Sequence, residues 1–272
     1  MADLHIGPAG AALGTTLSQA ISVIVSLAVI LKRKMGVSVA KADFKPQRSV
    51  MGRILKIGVP VAFQDGLIQI AFIIITIIAN HRGLNDSAAV GIVEKIMSFL
   101  FLIPSSMLST VSALGAQNIG ANKPKRAVAT LRYAAMLAVG FGIVVAVTMQ
   151  FIAEPVVSLF TDAGTAEGAE VARLGGQYLR GYVWDCIFAG VHFCFSGYFC
   201  AVGKSGISFI HNLSTIILMR IPGVYLTSKL FPTTLFPMGL ATASGSLISV
   251  IICLIAFVFL TRKSNKAALE VA

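Results

Sequence analysis

With 272 residues, 56% of them hydrophobic and only 12% charged, at a mean hydropathy of +0.86, the chain is too poor in charge for a soluble domain, which carries about 25% charged residues. The composition predicts an all-α integral membrane protein. At about 20 apolar residues per span, the length allows about seven transmembrane helices joined by short loops. The net charge of +11 does not point to nucleic acid, because the cations collect in the connections between apolar segments, and no nucleic-acid partner is expected.

Seven apolar segments follow in chain order, at 8–31, 54–80, 87–115, 128–160, 173–202, 206–229 and 236–261. The opening MADLHIGPAGAA lacks the basic region of a secretory leader, so none is expected. The first segment holds Gly10 and Gly14 at GxxxG spacing. The second contains Pro60 and a polar stripe, Asp65, Gln69, Thr76 and Asn80, whose offsets place it near one helical face, with Gln64 at its flank. The third carries Pro104, and Glu94 with Lys95 nearer its outer third. The fifth has Arg180 toward its outer end. Tyr178, Tyr182, Asp185 and His192 share one face there, with Trp184 beside it. The sixth reads IILMRIPGVYL, with Arg220 two residues before Pro222. The seventh repeats small residues, Gly239 with Ala243 and Ala241 with Gly245, a spacing that lets helices approach closely in lipid.

The connections alternate in charge. Those after the first, third, fifth and seventh segments collect sixteen of the twenty-two Lys and Arg, and the opposite set only three. The positive-inside rule then predicts a multi-pass protein of the cell (inner) membrane with its N-terminus outside and its C-terminus cytoplasmic. Anionic membrane lipid is a sufficient partner for the basic loops.

A charge at mid-membrane costs about 2.5–3.5 kcal/mol on insertion scales. Asp65, Asp185 and Arg220 each lie about a dozen residues into their segments, roughly 18 Å deep at 1.5 Å per residue. They predict a water-accessible cavity between the second, fifth and sixth helices. Asp65 and Asp185 would be its cation-coupling carboxylates. Gln64, Gln69, Thr76, Tyr182, His192 and Arg220 would line it. Arg220 would hold a carboxylate or change partners when the carboxylate takes a proton; a static ion pair that fixes helix register is the competing reading. His192 reads equally as a hydrogen-bonded interior histidine, and His81 and His211 read as loop-end and helix-end residues. Cys186, Cys194, Cys200 and Cys253 show no CxxC spacing and read as buried thiols, so neither a metal site nor a disulfide is expected. No HExxH, GxSxG, Walker A or nucleotide fingerprint occurs. An enzyme is not expected, and no cofactor is expected beyond H⁺ or Na⁺ as coupling ion.

Several stretches resemble one family. SALGAQNIGANKPKRA, with Gln117, Gly120, Ala121 and Ala127, is similar to the signature that follows the eighth helix of multidrug and toxic compound extrusion (MATE) transporters. GPAGAALGTTLSQ resembles the sixth helix of that family, KIGVP the start of the seventh, SGYFCAVGKS the end of the tenth, and RIPGVYL, with Pro222, the eleventh. The resemblance implies that 1–34 is the last transmembrane helix of an N-terminal lobe, 35–53 a basic cytoplasmic linker and 54–272 a six-helix C-terminal lobe. It implies a fragment of a secondary multidrug antiporter that exports small organic cations or drugs against H⁺ or Na⁺ influx. The missing N-terminal lobe would come from the same longer chain or another. Asp65 and Asp185 each fall about a turn before the acids that family members carry. Two alternatives accompany this reading. A lipid-linked oligosaccharide flippase would be richer in central Arg and Lys. A seven-helix receptor fits the topology, but a retinal protein would need a Lys in 236–261, which has none.

Overall fold

The computed structural model describes residues 7–32, 45, 47–162 and 164–269, and every regular element among them is helical. Most of the segment expected as a basic linker, and the last three residues, lie outside the described residues. The helices are α1 (Gly7–Lys32), α2 (Arg48–Asn80), α3 (Leu84–Leu100), α4 (Leu102–Gly120), α5 (Pro124–Ser158), α6 (Ala166–Tyr182), α7 (Asp185–Ala201), α8 (Ser205–Thr215), α9 (Ile221–Leu230) and α10 (Phe236–Leu269). A π-helical turn, Ile216–Arg220, joins α8 to α9. Six stretches among the described residues are long and apolar enough to cross a membrane; counting α6 with α7 as one bent span makes seven.

The chain divides into two units, 1–51 and 52–272. In the first, α1 exposes the side chains of 13–30, a run of mean hydropathy 1.9 that demands an apolar surrounding. In the second, α7 packs against α4, α5 and α10, and α6 against α3, α5 and α10. Two apolar cores lie at successive levels of this bundle. One gathers Ile75, Val93, Met97, Val157, Tyr178, Leu235 and Met238. The other gathers Val111, Leu131, Cys194, Phe195, Phe199 and Cys253. Along α7 the first core ends at Cys186 and the second begins at Cys194; along α10 the corresponding limits are Ala241 and Cys253. The residues between these limits carry the polar groups described below.

Irregularities sit where the sequence breaks the hydrogen-bond ladder. Proline has no N–H, so it strands the carbonyl four residues earlier. For Pro60 that carbonyl belongs to Lys56, and the Ser205 hydroxyl donates to it at 3.4 Å. The 44° bend between α6 and α7 has no proline. There the ladder tightens, with Cys186 N–H bonding Val183 O at 3.0 Å and Ile187 N–H bonding Trp184 O at 3.2 Å. The bend follows Gly181, whose backbone meets that of α10 at Gly239; a Cβ on either residue would overlap the other helix's main chain. The signature around Gln117 forms the α4–α5 turn: Ala121 N–H bonds Gln117 O at 3.0 Å, Asn122 takes a left-handed φ of 57°, and Pro124 opens α5. Gln117, Gly120 and Ala121 are exposed and belong to this helix stop, while Ala127 packs in the second core.

Arg82 fastens the opposite end. Its Nε donates to Asp86 at 2.7 Å, Nη1 to the carbonyls of Ser228 and Phe231 at 3.0 Å each, and Nη2 to those of Pro232 and Thr234 at 2.9 and 3.3 Å. All five guanidinium donors are engaged, tying the α2–α3 turn to the end of α9.

Two outcomes are expected in thermal unfolding of the detergent-solubilised chain. Gly239→Ala lowers stability by about 1–3 kcal/mol through overpacking, while Gly91→Ala, where a Cβ meets open space, does not. Arg82→Lys, which cannot reproduce a five-donor fork, also lowers the midpoint, and unchanged melting would remove the clamp.

Candidate functional site

Between the two apolar cores lies a cavity of about 60 Å³. Asp185, Ala189, His192 and Phe193 line it from α7, Asn212 and Thr215 from α8, Ile216 and Arg220 from the π-helical turn, Gly245, Ser246 and Ser249 from α10, and Ile68 and Phe72 from α2. The bend places Asp185 at the first residue of α7, where the Cys186 and Ile187 N–H groups are taken by the carbonyls of Val183 and Trp184.

Arg220 is buried, and among the described residues it makes no direct ion pair. Its Nη2 donates to the Tyr182 hydroxyl at 2.6 Å. Its guanidinium centre lies 4.9 Å from the Phe72 ring centroid and 5.7 Å from that of Tyr182, so two ring faces take the place of a counterion. Tyr182 is fully buried, with Tyr178 and Phe101 against its ring. Gly245 leaves room for the stem of Arg220, since a Cβ there would stand 3.2 Å from the Arg220 Cβ. The register-fixing ion pair of the sequence reading is therefore replaced by a Tyr–Arg–Phe arrangement.

Asp185 is 1% exposed and shares the cavity wall with Arg220 and Ser246. Among the described residues, three buried side-chain polar atoms find no hydrogen-bond partner: Asp185 Oδ1, His192 Nδ1 and Arg220 Nε. All three residues line this cavity. Each such atom costs about 1–3 kcal/mol, more if its group is charged, so the wall carries unsatisfied polarity of both signs. A cavity of this size has room for roughly four water-sized positions at 10–15 Å³ each. It is far below the 300 Å³ or more of a drug-sized pocket.

A hydroxyl and imidazole ladder adjoins the cavity. His211 is fully buried and meets Ser249 Oγ at Nδ1 (2.6 Å) and Ser196 Oγ at Nε2 (3.0 Å). It packs edge to face on His192 with ring centroids 5.6 Å apart. The helix-end reading of His211 is thus corrected: it stands on the inner face of α8, which the sequence pattern shows only when Ser208, His211, Asn212 and Thr215 are taken together. Ser208 donates to Gln64 Oε1 at 2.7 Å, and Asn212 Nδ2 to Ser208 O at 3.2 Å.

The expected site residues separate into three places. Tyr182, Asp185, His192 and Arg220 come together around the cavity, and Gln64 joins its ladder. Thr76 bonds the main chain at Phe72 O (3.0 Å) and reaches both oxygens of Glu94 at 3.4 Å. Asp65, Gln69 and Asn80 are exposed on the opposite shoulder of α2 from its buried face of Gln64, Ala71, Ile75 and Ala79. Asp65 does not line the cavity, and the structure does not bring it to Asp185. Pro222 is exposed, two residues past Arg220 at the start of α9. The sequence reading missed Ser246 and Ser249; Thr242, Ser246 and Ser249, at offsets of four and three, repeat on one face of α10 and were the available signal.

A family model, MatE, matches residues 60–226. The multidrug export protein MepA of Staphylococcus aureus is 26% identical over 234 residues, which cover 85% of this chain and 49% of that protein. The probable multidrug resistance protein YoeA of Bacillus subtilis is 27% identical over 158 residues, 57% of this chain and 34% of that protein. A crystal structure of a MATE in complex with MaL6 superposes with a TM-score of 0.84 at 20% identity, covering 99% of this chain and 59% of that one. The chain thus spans half or less of the length of these curated relatives.

Removing the Tyr182 hydroxyl leaves a buried guanidinium donor unpaired. Tyr182→Phe is expected to lower stability by about 1–3 kcal/mol, read as the thermal midpoint of the chain in nanodiscs; a wild-type midpoint would show that the 2.6 Å bond does not hold Arg220.

Proposed function

Because the chain belongs to the MatE family, a family of membrane transporters, we propose that it forms the C-terminal lobe, with the preceding helix, of a secondary antiporter that exports small organic cations or drugs in exchange for H⁺ or Na⁺. The observation that carries this reading is the cavity wall: a buried carboxylate, guanidinium and imidazole, each with an unpartnered polar atom, at one level inside a membrane bundle. Such a wall costs stability and has no packing role that an apolar layer would not fill better. It is suited to a site whose charge changes during a cycle.

Asp185 is the cation-coupling residue in this reading. The cavity admits an ion or a few waters and not a drug, so the organic substrate binds elsewhere. The exposed shoulder of α2, with Asp65, Gln69 and Asn80, fits the wall of a larger cleft completed by a first lobe. The lengths of the relatives support such a lobe, supplied by the same longer protein or another chain. Membrane lipid surrounds the rest, with the basic connections on the cytoplasmic side of the cell membrane, the N-terminus outside and the C-terminus inside.

Transport follows from differential affinity. An ion that binds Asp185 better in one orientation of the lobes, and a substrate that binds the cleft better in the other, drive alternating access. In proteoliposomes of a full-length transporter containing this chain, Asp185→Asn is expected to abolish ion-driven efflux of a cationic dye. Asp65→Asn is expected to raise the substrate KM several-fold while ion dependence persists. Full ion-coupled efflux in Asp185→Asn would overturn the site assignment. The 272-residue chain alone is expected to export no dye against a gradient.

A further inference from the structure

We propose that one anionic phospholipid binds lengthwise against α5, its phosphate held by Lys125, Arg126 and Arg132 and an acyl chain seated over Gly140. The site is separate from the cavity and does not depend on the transport reading. Three observations carry it.

The first is the pattern of one helical face. α5 runs for 35 residues, from Pro124 to Ser158. At 100° per residue, Lys125, Arg126, Arg132 and Tyr133 near its start share an arc of about 140° with an apolar run from Met136 to Phe151. From Tyr133 to Phe151 that run is about 27 Å long at 1.5 Å per residue, close to the roughly 30 Å of bilayer hydrocarbon. Between those two residues no exposed side chain is an amide or ionisable, and the Thr148 hydroxyl is engaged by Val144 O at 2.8 Å. Glu154, the next acid, comes one turn past Phe151. The exposed shoulder of α2, by contrast, carries Asp65, Gln69 and Asn80, which hydrocarbon would refuse. A Cβ added at Gly140 meets nothing within 4 Å. The glycine therefore leaves a notch between Leu137 and Val144, which are 65% and 66% exposed.

The second is the state of the cations. Elsewhere in the bundle arginines are bound to the protein. Arg82 has all five donors engaged, Arg173 holds Glu170 through bonds of 2.8 and 2.7 Å, and Arg180 Nε donates to Gln150 O at 3.1 Å. At the start of α5, the exposed side chains of Lys123, Lys125 and Arg126 make no hydrogen bond or ion pair among the described residues. Arg132 donates one bond to the Tyr133 hydroxyl at 3.4 Å, with its guanidinium centre 5.1 Å from that ring, and keeps its other donors. The chain has no acid at 95–153 or at 186–269, so α4, its turn into α5 and all of α7 past Asp185 offer these cations no counter-charge. Lys204, in the turn after α7, adds a further exposed cation at the same end of the bundle, where Val128 and Val202 pack on one core. The compensating anion has to come from outside the protein.

The third is the order of the chemistry along the helix. Lys125 and Arg132 stand two turns apart on one line, about 10 Å. Phosphodiester oxygens accept the fork of a guanidinium and the point charge of a lysine. A tyrosine follows at the level favoured by its ring and hydroxyl, the boundary of headgroup and chain. The apolar run and its notch come last. Phosphate, glycerol and acyl chain follow one another in the same order. A free phosphate would match the cations alone and leave the apolar run and the notch unused.

The test takes the 272-residue chain in mild non-ionic detergent and adds dioleoyl phosphatidylglycerol or, at equal concentration, dioleoyl phosphatidylcholine; retained lipid is counted by native mass spectrometry. At about fivefold per cation, phosphatidylglycerol is expected to be retained over phosphatidylcholine by about tenfold or more, with one molecule saturating first. Lys125→Gln/Arg126→Gln/Arg132→Gln is expected to lose that preference. Arg53→Gln/Lys56→Gln/Arg262→Gln, which removes the same charge from helices that do not pack closely on α5, is expected to keep it. Glycerophosphate in large excess is expected not to displace the lipid. Gly140→Leu is expected to weaken retention several-fold with an unchanged thermal midpoint in lipid-free detergent. Equal retention of the two lipids overturns the proposal. Loss of preference in the α2 and α10 variant as complete as in the α5 variant would reveal diffuse attraction without a site, and displacement by glycerophosphate a phosphate site without a lipid; either result also overturns it. Undiminished binding in Gly140→Leu overturns the placement of the chain. Should the triple α5 variant not fold, Lys125→Gln and Arg132→Gln singly carry the same comparison, each expected to lose about fivefold.

Discussion

A guanidinium that cannot lose its charge, buried within a membrane bundle, is the constraint around which the second unit of this protein is arranged. The arrangement does not neutralise Arg220 with a carboxylate. It offers one hydroxyl at 2.6 Å and two aromatic faces, which stabilise a cation by the ring quadrupole while leaving its charge uncompensated. Such a cation polarises whatever shares its cavity. Asp185 shares it, in a medium where Coulomb forces are weakly screened.

The same constraint explains the irregular backbone. A straight α6–α7 span would carry Tyr182 and Asp185 past the cavity on a continuous helix. The break at Val183–Trp184 turns the chain by 44°, so that the residue before it holds Arg220 and the residue after it lines the cavity. On the opposite wall the π-helical turn inserts its extra residue directly before α9, widening the helix where Arg220 leaves it. Pro222 follows immediately; it cannot extend a regular ladder, and the π turn absorbs the mismatch. Cation, π turn and proline are thus one device: the cation needs an unusual exit angle, and the proline keeps the backbone from closing into a regular helix.

Much of the fold was legible in the sequence because apolar length and charge alternation are local quantities. Seven segments could be drawn, and the structure divides the same residues into spans. The site was legible only in part. Asp185, His192, Tyr182 and Arg220 stood out as polar groups at depth, and depth is readable by counting. Which of them meet depends on helix rotation. Asp65 and Gln64 are adjacent in sequence, yet one is exposed and the other 2% exposed; a rotation of 100° separates a buried site residue from a surface one. His211 and Ser249 escaped for a different reason. Serine is common in membrane helices as a packing residue, so its role shows only when a partner on another helix is known.

The two polar regions differ in exposure. The inner cavity is lined by helices of one unit and is too small for an organic substrate, whereas the shoulder of α2 with Asp65, Gln69 and Asn80 is exposed in this chain. They are not independent, because α2 builds both: Phe72 covers Arg220 from the face that Ile75 and Ala79 anchor, and Thr76, one turn on, bonds to its carbonyl and to Glu94. Moving Arg220 off the Phe72 ring would alter the packing of α2 against α3 at Thr76–Glu94. Charge in the inner cavity is thereby linked mechanically to the helix that carries the exposed stripe, a single helix with one face on each region.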